Sequence, residues 1–482
     1  MRITNQMTTN KMLLNITRNM NAVDNLYTQL TTGKKIQMPS DNPIIASRAL
    51  KFRTNIAETN QYLSNVAQGI SWMQITEQAL SNTMESLISV KELCTEGASG
   101  NYNIDNKKTF ADELQSLLAQ LETEMNVTYA GRYVFSGYRT DKPPTILEDG
   151  QAVDYDITQS LTAANIEHAK VYTKQNPDAP VVSEVNKLKL PYSASNNVTM
   201  NEIRIVGANG STVAMTLNGT TTPQLISVPA AAGTNAYNPG DDEVYYVQDT
   251  GEIILGKNAM AAVSANADGR IDLDYHITNL DKGDLNPEVY FDCHDNINNK
   301  TYTMTGQNIQ YEFGVNTRVP INNMAKDSLT ASLYGDLRAL LNLVNGVQLT
   351  PENQLIDKYS NPPHSLQGDA LTEAVQKQRA EEKQYFNGVL QNAFSNMLGI
   401  IEDHTSQASK EYTQLGSRMN RLEMIQNRLT QDRLSYETLK SENEDVDYLE
   451  ATMNLNAANY VYQMALKAGG SIMQTSLADF IR

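Results

Sequence analysis

Near the start of the chain the apolar residues fall at Leu13, Ile16, Met20, Val23, Tyr27 and Leu30. The steps alternate between three and four. That is the spacing of a helix–helix seam rather than the wide apolar stripe of a surface helix. A helix of this length is marginal alone in water. Each buried Leu or Ile contributes about 1.5–3 kcal/mol, and only when something covers it. A second line of similar spacing lies at the other end, at Leu449, Met453, Ala457, Tyr460 and Met464. One seam alone fits a helical bundle as well as a coiled coil. Several seams on both sides of a different middle favour ends that pair, with the rest of the chain an excursion between them.

Three further helical stretches follow from the same spacing. The first helix is expected to stop at Gly33, a C-cap residue, with Lys34 and Lys35 behind it. After the loop Lys34–Asn42, Asp41 or Asn42 caps a second helix with Pro43 at its first position. Its line runs Ile45, Ala49, Phe52, Ile56, Leu63, Val66, Ile70, Met73, Leu80, Met84 and Leu87, with Thr59 and Glu77 in the gaps, and stops around Gly97–Gly100. A third helix, about 105–128, buries Phe110, Leu114, Leu117, Leu121 and Met125 and ends at Gly131. After Pro362-Pro363 the chain reads as helix to its end, through Phe386, Leu390, Phe394, Met397 and Ile401, then Leu415, Leu422, Ile425 and Leu429. Asn443-Glu444-Asp445 is a polar interruption, and Gly469-Gly470 weakens the last helix.

Proline marks the divisions. Of 15 prolines, two sit at Pro39 and Pro43 and the rest between Pro143 and Pro363, so the flanking spans are free to be long helices. From about Arg139 short β-rich runs alternate with turns. The runs include 202–206, 243–247, 252–255, 271–277 and 309–315. The turns include Asn209-Gly210, Asn218-Gly219, Pro239-Gly240 and Asp268-Gly269. Some helix is expected near 329–344. The fold class is α+β: long terminal helices forming a coiled-coil rod with an inserted, mostly β domain of one or two lobes. The expected division is 1–42 with 443–482, 43–140 with 365–442, and 141–364.

Composition narrows the function classes. The 482 residues carry a net charge of −17, which argues against nucleic acid and against anionic membrane surfaces as partners. Two cysteines, Cys94 and Cys293, make no disulfide framework, and whether they stay free is open at this stage. The opening Met-Arg-Ile-Thr-Asn-Gln has no apolar leader core. The expectation is export, if any, by a route that reads no cleaved signal, and no insertion into a membrane.

No catalytic, cofactor or metal site emerges. None of His168, His276, His294, His364 and His404 stands in a metal-binding helix motif. Asp292-Cys293-His294-Asp295 has metal-friendly side chains, but neighbours on a strand point to opposite faces. Asn266-Ala267-Asp268-Gly269 has the start of a calcium loop, yet Tyr275 stands where the bidentate carboxylate belongs.

Leu30-Thr31-Thr32-Gly33-Lys34-Lys35-Ile36, followed by Pro39-Ser40-Asp41-Asn42-Pro43, resembles the loop after the first helix of the flagellin superfamily. The lysines and the Pro-Ser-Asp-Asn-Pro run are closest to its hook–filament junction branch. Thr76-Glu77-Gln78-Ala79-Leu80, Arg132-Tyr133-Val134-Phe135-Ser136-Gly137, Tyr462-Gln463-Met464-Ala465-Leu466 and the tail from Gln474 to Ile481 fit the same family, over about 1–140 and 365–482.

The resemblance implies a structural part rather than an enzyme. It implies export through the flagellar type III channel to the bacterial flagellum outside the cell, and help from an export chaperone. It also implies terminal helices that order on assembly. The implied partners are copies of itself in a ring, another hook-associated junction protein on the hook side, and flagellin on the filament side. The implied assembly residues are Leu13, Ile16, Met20, Val23, Tyr27, Leu30, Leu449, Met453, Tyr460 and Met464. The loop between layers would be Gly33, Lys34, Lys35, Pro39, Ser40, Asp41 and Pro43. Two other readings stand beside this one: a filament-forming flagellin, and a scaffold displaying an adhesive or enzymatic insert.

Overall fold

Proline-free sequence and repeating three–four spacing give long helices at both ends of the chain. The structure, a computed structural model, describes residues 5–173, 181–206, 212–216, 219, 223–229, 236–265, 270–314 and 316–480. Helices α1 (Asn5–Thr32), α2 (Pro43–Ala98) and α3 (Ile104–Met125) open the chain. A small hairpin follows, β1 (Thr128–Tyr129) with β2 (Arg132–Tyr133). Then come β3 (Gln151–Thr162), β4 (Glu167–Thr173), β5 (Val181–Lys189), β6 (Thr199–Val206), β7 (Thr212–Thr216), β8 (Gln224–Val228), β9 (Glu243–Val247) and β10 (Glu252–Leu255). Helix α4 (Lys257–Ser264), β11 (Arg270–Leu280), α5 (Pro287–Tyr290), β12 (Asp292–Asp295), β13 (Lys300–Tyr302), β14 (Gln310–Gly314) and β15 (Thr317–Pro320) continue it. Five helices close it: α6 (Ala325–Ser328), α7 (Ser332–Asn345), α8 (Glu352–Ser360), α9 (Gly368–Glu444) and α10 (Tyr448–Phe480).

The α+β class of the sequence is the class observed. The chain forms two compact units, one of Met1–Gln68, Glu312–Arg318 and Leu422–Arg482, the other of Gly69–Tyr311 and Val319–Arg421. In the first, α1 packs along α10, and Ala49, Val66, Leu422, Ile425 and Leu429 are buried. Asn65 donates to the Glu312 carbonyl at 2.9 Å.

The second unit holds the β region. One sheet has five strands in the order β4-β5-β10-β9-β8, the other six in the order β13-β12-β3-β11-β6-β7. Every pairing in them is antiparallel except β8 with β9. The strands expected at 243–247 and 252–255 have those bounds, and those at 202–206 and 271–277 lie within longer ones. The longest strand, β3, was not anticipated. Its Asp154, Asp156, Thr158 and Ser160 alternate with Tyr155, Ile157 and Gln159, the latter three buried, so the period of two is present but carried by few apolar residues. The turns at Asn209-Gly210, Asn218 and Asp268-Gly269 lie outside the described residues, as does the calcium-like run 266–269.

Two local expectations are corrected. Helix α3 is rotated from its expected face: Ala111, Leu114, Leu118, Leu121 and Met125 are buried, while Phe110 and Leu117 are half-buried. Leu117 and Leu118 both satisfy a three–four spacing from Leu114 and Leu121, so the pattern alone leaves the face open. Gly131 does not end this helix, which stops at Met125. Ala130 and Gly131, at φ 50° and 76°, form the two-residue turn between β1 and β2. The helix instead hands over at Asn126, whose side chain bonds Thr145 Oγ1 at 2.6 Å and accepts from its N–H at 3.1 Å.

In the second unit α2 lies against α9 where Gly97 faces Phe394. A Cβ on Gly97 would stand 2.5–2.8 Å from the fully buried ring. Ordinarily Gly→Ala inside a helix is stabilising by about 0.5–1 kcal/mol. Here the clash reverses the sign, and Gly97→Ala is expected to lower unfolding stability by about 1–3 kcal/mol in denaturant titration. A gain in stability would refute this contact.

Candidate functional site

The paired ends carry the features expected to matter. α1 and α10 run antiparallel: the backbone at Gly33 meets Val446, and Gly469 lies against Met12 and Ile16. The contact is not made by the lines the spacing singled out. On α1 the partly covered line is Thr9, Met12, Ile16, Asn19, Val23, Leu26 and Leu30, a three–four repeat that shares only Ile16, Val23 and Leu30 with the expected seam; Thr28 and Gln29 are also partly covered near the elbow. On α10 the covered line is Ala451, Leu455, Ala458, Tyr462, Ala465 and Gly469, which is again a heptad. Its small residues let the helices approach closely; a Cβ on Gly469 would stand 2.9 Å from Met12 Cε. Asn19 sits on this line, the kind of position where a polar residue fixes register in helix pairs.

The larger residues face away from the contact. Leu13, Met20 and Tyr27 are 52%, 56% and 61% exposed. Leu449, Met453, Tyr460 and Met464 are 75%, 64%, 62% and 42% exposed. Ala457, expected on the same seam, is exposed too. Val461 and Leu466 add to the surface of α10. Side chains from residue 472 onward, and Ile481 of the tail motif, lie outside the described residues.

The loop residues build an elbow between α1 and α2 that is closed by the α9–α10 break. Gly33 ends α1 in the left-handed region at φ 70°, donating to the Gln29 carbonyl at 2.9 Å. A side chain there would also meet Tyr448 Oη at 2.8 Å. Around the Lys34–Asp445 bridge, Lys35 N–H donates to the Glu444 carbonyl at 2.7 Å and Val446 N–H to that of Gly33 at 2.9 Å. Lys35 Nζ reaches the Glu442 carbonyl at 2.6 Å. Asp41 accepts from the N–H groups of Gln37 and Met38 at 2.9 and 2.8 Å, and these bonds hold its carboxyl below the usual range. Asn42 caps α2, accepting from Ile44 and Ile45 at 3.2 and 3.3 Å, with Pro43 at the first position. Pro39 and Ser40 are exposed at the tip.

Sequence reasoning missed the centre of this elbow. Glu444, with a side chain only 4% exposed, accepts from Lys34 Nζ at 2.8 Å and from Arg53 Nη2 at 2.8 Å. Lys34 also binds the Asp445 carboxylate. Burial opposes the Glu444 charge, but Lys34 and Arg53 prevail and hold its carboxyl below the usual range. Hydrogen bonds from Lys34 and Ser441 do the same for Asp445, and the two carboxylates raise Lys34. The available signal was a Lys34-Lys35 pair facing a Glu444-Asp445 pair at the two predicted helix breaks.

Elsewhere, β12 points Cys293 and Asp295 inward and Asp292 and His294 outward, as expected of a strand. Cys94 and Cys293 are both free and buried. Among the described residues no three His, Cys, Asp or Glu side chains gather as metal ligands, and no helix is long and apolar enough to cross a membrane.

Two outcomes test the elbow. Glu444 and Asp445 have depressed folded-state pKa values, so their stabilisation is full above the ordinary carboxylate range and lost as pH falls through the depressed values. Protection of the Lys35 and Val446 amides, corrected for intrinsic exchange, is therefore expected to fall below about pH 4; flat protection to about pH 2 would contradict it. Replacing all three cations within 4 Å of Glu444, K34M with R53M and K440M, strands a buried carboxylate and is expected to open the elbow by about 1–3 kcal/mol. E444Q leaves only exposed cations and is expected to cost less in the same exchange measurement.

The ends of the chain also match known proteins. The bacterial flagellin N-terminal helical region matches residues 3–140, and the bacterial flagellin C-terminal helical region matches 398–481. Flagellar hook-associated protein 3 of Salmonella typhimurium is 30% identical over 145 residues, 30% of this chain and 46% of that protein. A flagellin of Escherichia coli K12 is 28% identical over 258 residues, 53% of this chain and 48% of that protein. The chain thus spans less than half the length of these curated relatives. FlgL of Xanthomonas campestris superposes with a TM-score of 0.32 at 10% identity, over 80% of this chain and 98% of that one.

Proposed function

We propose that this chain, which belongs to the flagellin superfamily, is a structural subunit of the bacterial flagellum that joins hook to filament. The observation that carries the reading is the outward apolar face of the paired ends. Leu13, Met20, Tyr27, Leu449, Met453, Tyr460 and Met464 lie exposed on helices whose own contact uses small residues. Each is worth about 1.5–3 kcal/mol once covered, and none is covered within one chain. Copies of the same chain cover such a face when they assemble in a ring. Ile16, Val23 and Leu30 hold the pair together, and the outward residues make the contacts between subunits.

The choice of junction protein over filament flagellin rests on the loop Lys34–Pro43 and on the alignments to hook-associated protein 3 at 30% and 31% identity. In this reading residues 1–42 with 443–482 form the assembling layer, 43–140 with 365–442 a second layer, and 141–364 the insert. Another hook-associated protein contacts the hook side and flagellin the filament side. The subunit leaves the cell by flagellar export, with a chaperone on its helical ends. It performs no catalysis and takes no cofactor.

Immunogold electron microscopy with an antibody against 145–360 tests the reading. One cluster of label where filament meets hook is expected. Label along the whole filament would make the chain a flagellin instead. The two faces are separable by mutation. Leu449→Asp or Tyr27→Asp is expected to abolish incorporation while leaving the α1–α10 pair and the β sheets intact by circular dichroism. Val23→Asp is expected to abolish incorporation by breaking the pair itself, with the sheets still folded. Normal assembly of these variants would overturn the assignment of faces.

A further inference from the structure

The paired ends in the first unit carry methionine on both sides of their contact. Met12 lies inward, partly covered against Gly469. Met20, Met453 and Met464 lie outward, among the large residues that the pair leaves exposed. Met453 and Met464 are about three helical turns apart, so they share one stripe of α10 with Leu449 and Tyr460. On α1, Met20 stands midway between Leu13 and Tyr27. Met7, near the start of α1, is exposed as well. Away from the pair, Met38 in the elbow loop and Met424 on α9 are 64% and 66% exposed, whereas Met73, Met125 and Met215 are fully buried.

On such a face methionine differs from leucine in one respect. Its thioether takes an oxygen atom from hydrogen peroxide: the O–O bond breaks, an S–O bond forms and water leaves. Sulfur gives up two electrons and the peroxide gains them. The product is a polar sulfoxide on the same flexible side chain, and reduction restores the thioether. Packing shields a thioether and exposure offers it, so the three outward sulfurs are open to the oxidant in the free chain. A buried sulfoxide oxygen is an acceptor that needs a donor. Leu449, one turn before Met453, and Val461, one turn before Met464, offer none.

We propose that Met20, Met453 and Met464 are reversible oxidation sites that set whether the free chain can assemble. As thioethers they belong to the apolar face that copies of the chain cover, on the reading given above. As sulfoxides they make that face polar, and assembly stops. Once copies have met, the same sulfurs are covered and the oxidant no longer reaches them. The device therefore acts on the unassembled chain and spares the assembled one. The inner contact is largely Ile16, Val23, Leu30, alanine and glycine, which a peroxide does not touch, and Met12 is shielded there by its packing. Oxidation thus removes the outer contact and leaves the α1–α10 pair in place.

Peptide mapping of the full chain after treatment with about 10 mM hydrogen peroxide tests the chemistry. Met20, Met453 and Met464 are expected to gain one oxygen each at least about tenfold faster than Met73, Met125 and Met215. Incorporation into flagella, read by immunogold label, tests the consequence. M20Q with M453Q and M464Q puts an uncharged polar group of similar length and helix propensity at each site. It is expected to cut the label at least about tenfold, with helix content unchanged by circular dichroism. M20L with M453L and M464L is expected to keep the label, also in cells grown with peroxide, where the unmodified chain loses it. M38Q with M424Q is expected to keep it too. Normal label with the glutamine triple, lost label with the leucine triple or with M38Q and M424Q, equal loss of the unmodified chain and the leucine triple under peroxide, or oxidation no faster than that of the buried methionines would each overturn the proposal. Leucine is not oxidised in this way, so normal incorporation of Leu449→Asp would sink the assembly reading separately.

Discussion

A pair of helices from opposite ends of a chain stays folded only if their mutual contact, or something beyond it, covers their apolar surface. Here the covered line is Ala451, Leu455, Ala458, Tyr462, Ala465 and Gly469 on α10 against Met12, Ile16, Asn19, Val23, Leu26 and Leu30 on α1. Small residues bring the backbones close but bury little area each. Leu13, Met20, Tyr27, Leu449, Met453, Tyr460 and Met464 are left outside. The pair by itself leaves this apolar surface uncovered. Ordering costs about 1–2 kcal/mol per residue of backbone, so the folding of these ends is tied to what they meet.

The elbow works by a different kind of interaction. Lys34, Arg53, Glu444 and Asp445 lie where α1 turns into α2 and α9 into α10. Ion pairs at exposed positions contribute little. The weight of this one comes from Glu444, whose burial makes its partners obligatory rather than optional. Gly33 and the two backbone hydrogen bonds around Lys34 fix the geometry that delivers those partners. The two helix breaks are thus locked to each other, which couples the terminal pair to the helices that precede and follow it in sequence.

The β region follows other rules. Its central strands carry aspartate, threonine and serine on one face and Tyr155, Ile157, Leu273 and Tyr275 on the other. Charged residues in its interior have partners, ionic for Lys187, Glu167 and Glu252 and hydrogen-bonded for Asp295, which accepts from Asn298. Asp336 of α7 joins such a set, with Lys189 Nζ at 3.3 Å and His404 Nε2 at 3.7 Å.

Much was legible in the chain itself. Proline distribution, caps at Asn42 and Gly33, and three–four spacing placed the long helices, because these signals are local. Several strands were readable from turn residues and short β-rich runs, while β3 was hidden because one of its faces is inward but only partly apolar. The pairing of the two ends could be inferred, but not which faces meet. Spacing ranks residues by hydrophobicity, and so it picked Leu449, Met453 and Tyr460, whereas the covered line of α10 interleaves the small Ala451, Ala458, Ala465 and Gly469 with Leu455 and Tyr462. The sequence alone determined that both ends are amphipathic helices needing cover. Only the tertiary structure decided which side is spent inside the chain and which is left for a partner, because that choice depends on how near two backbones can come.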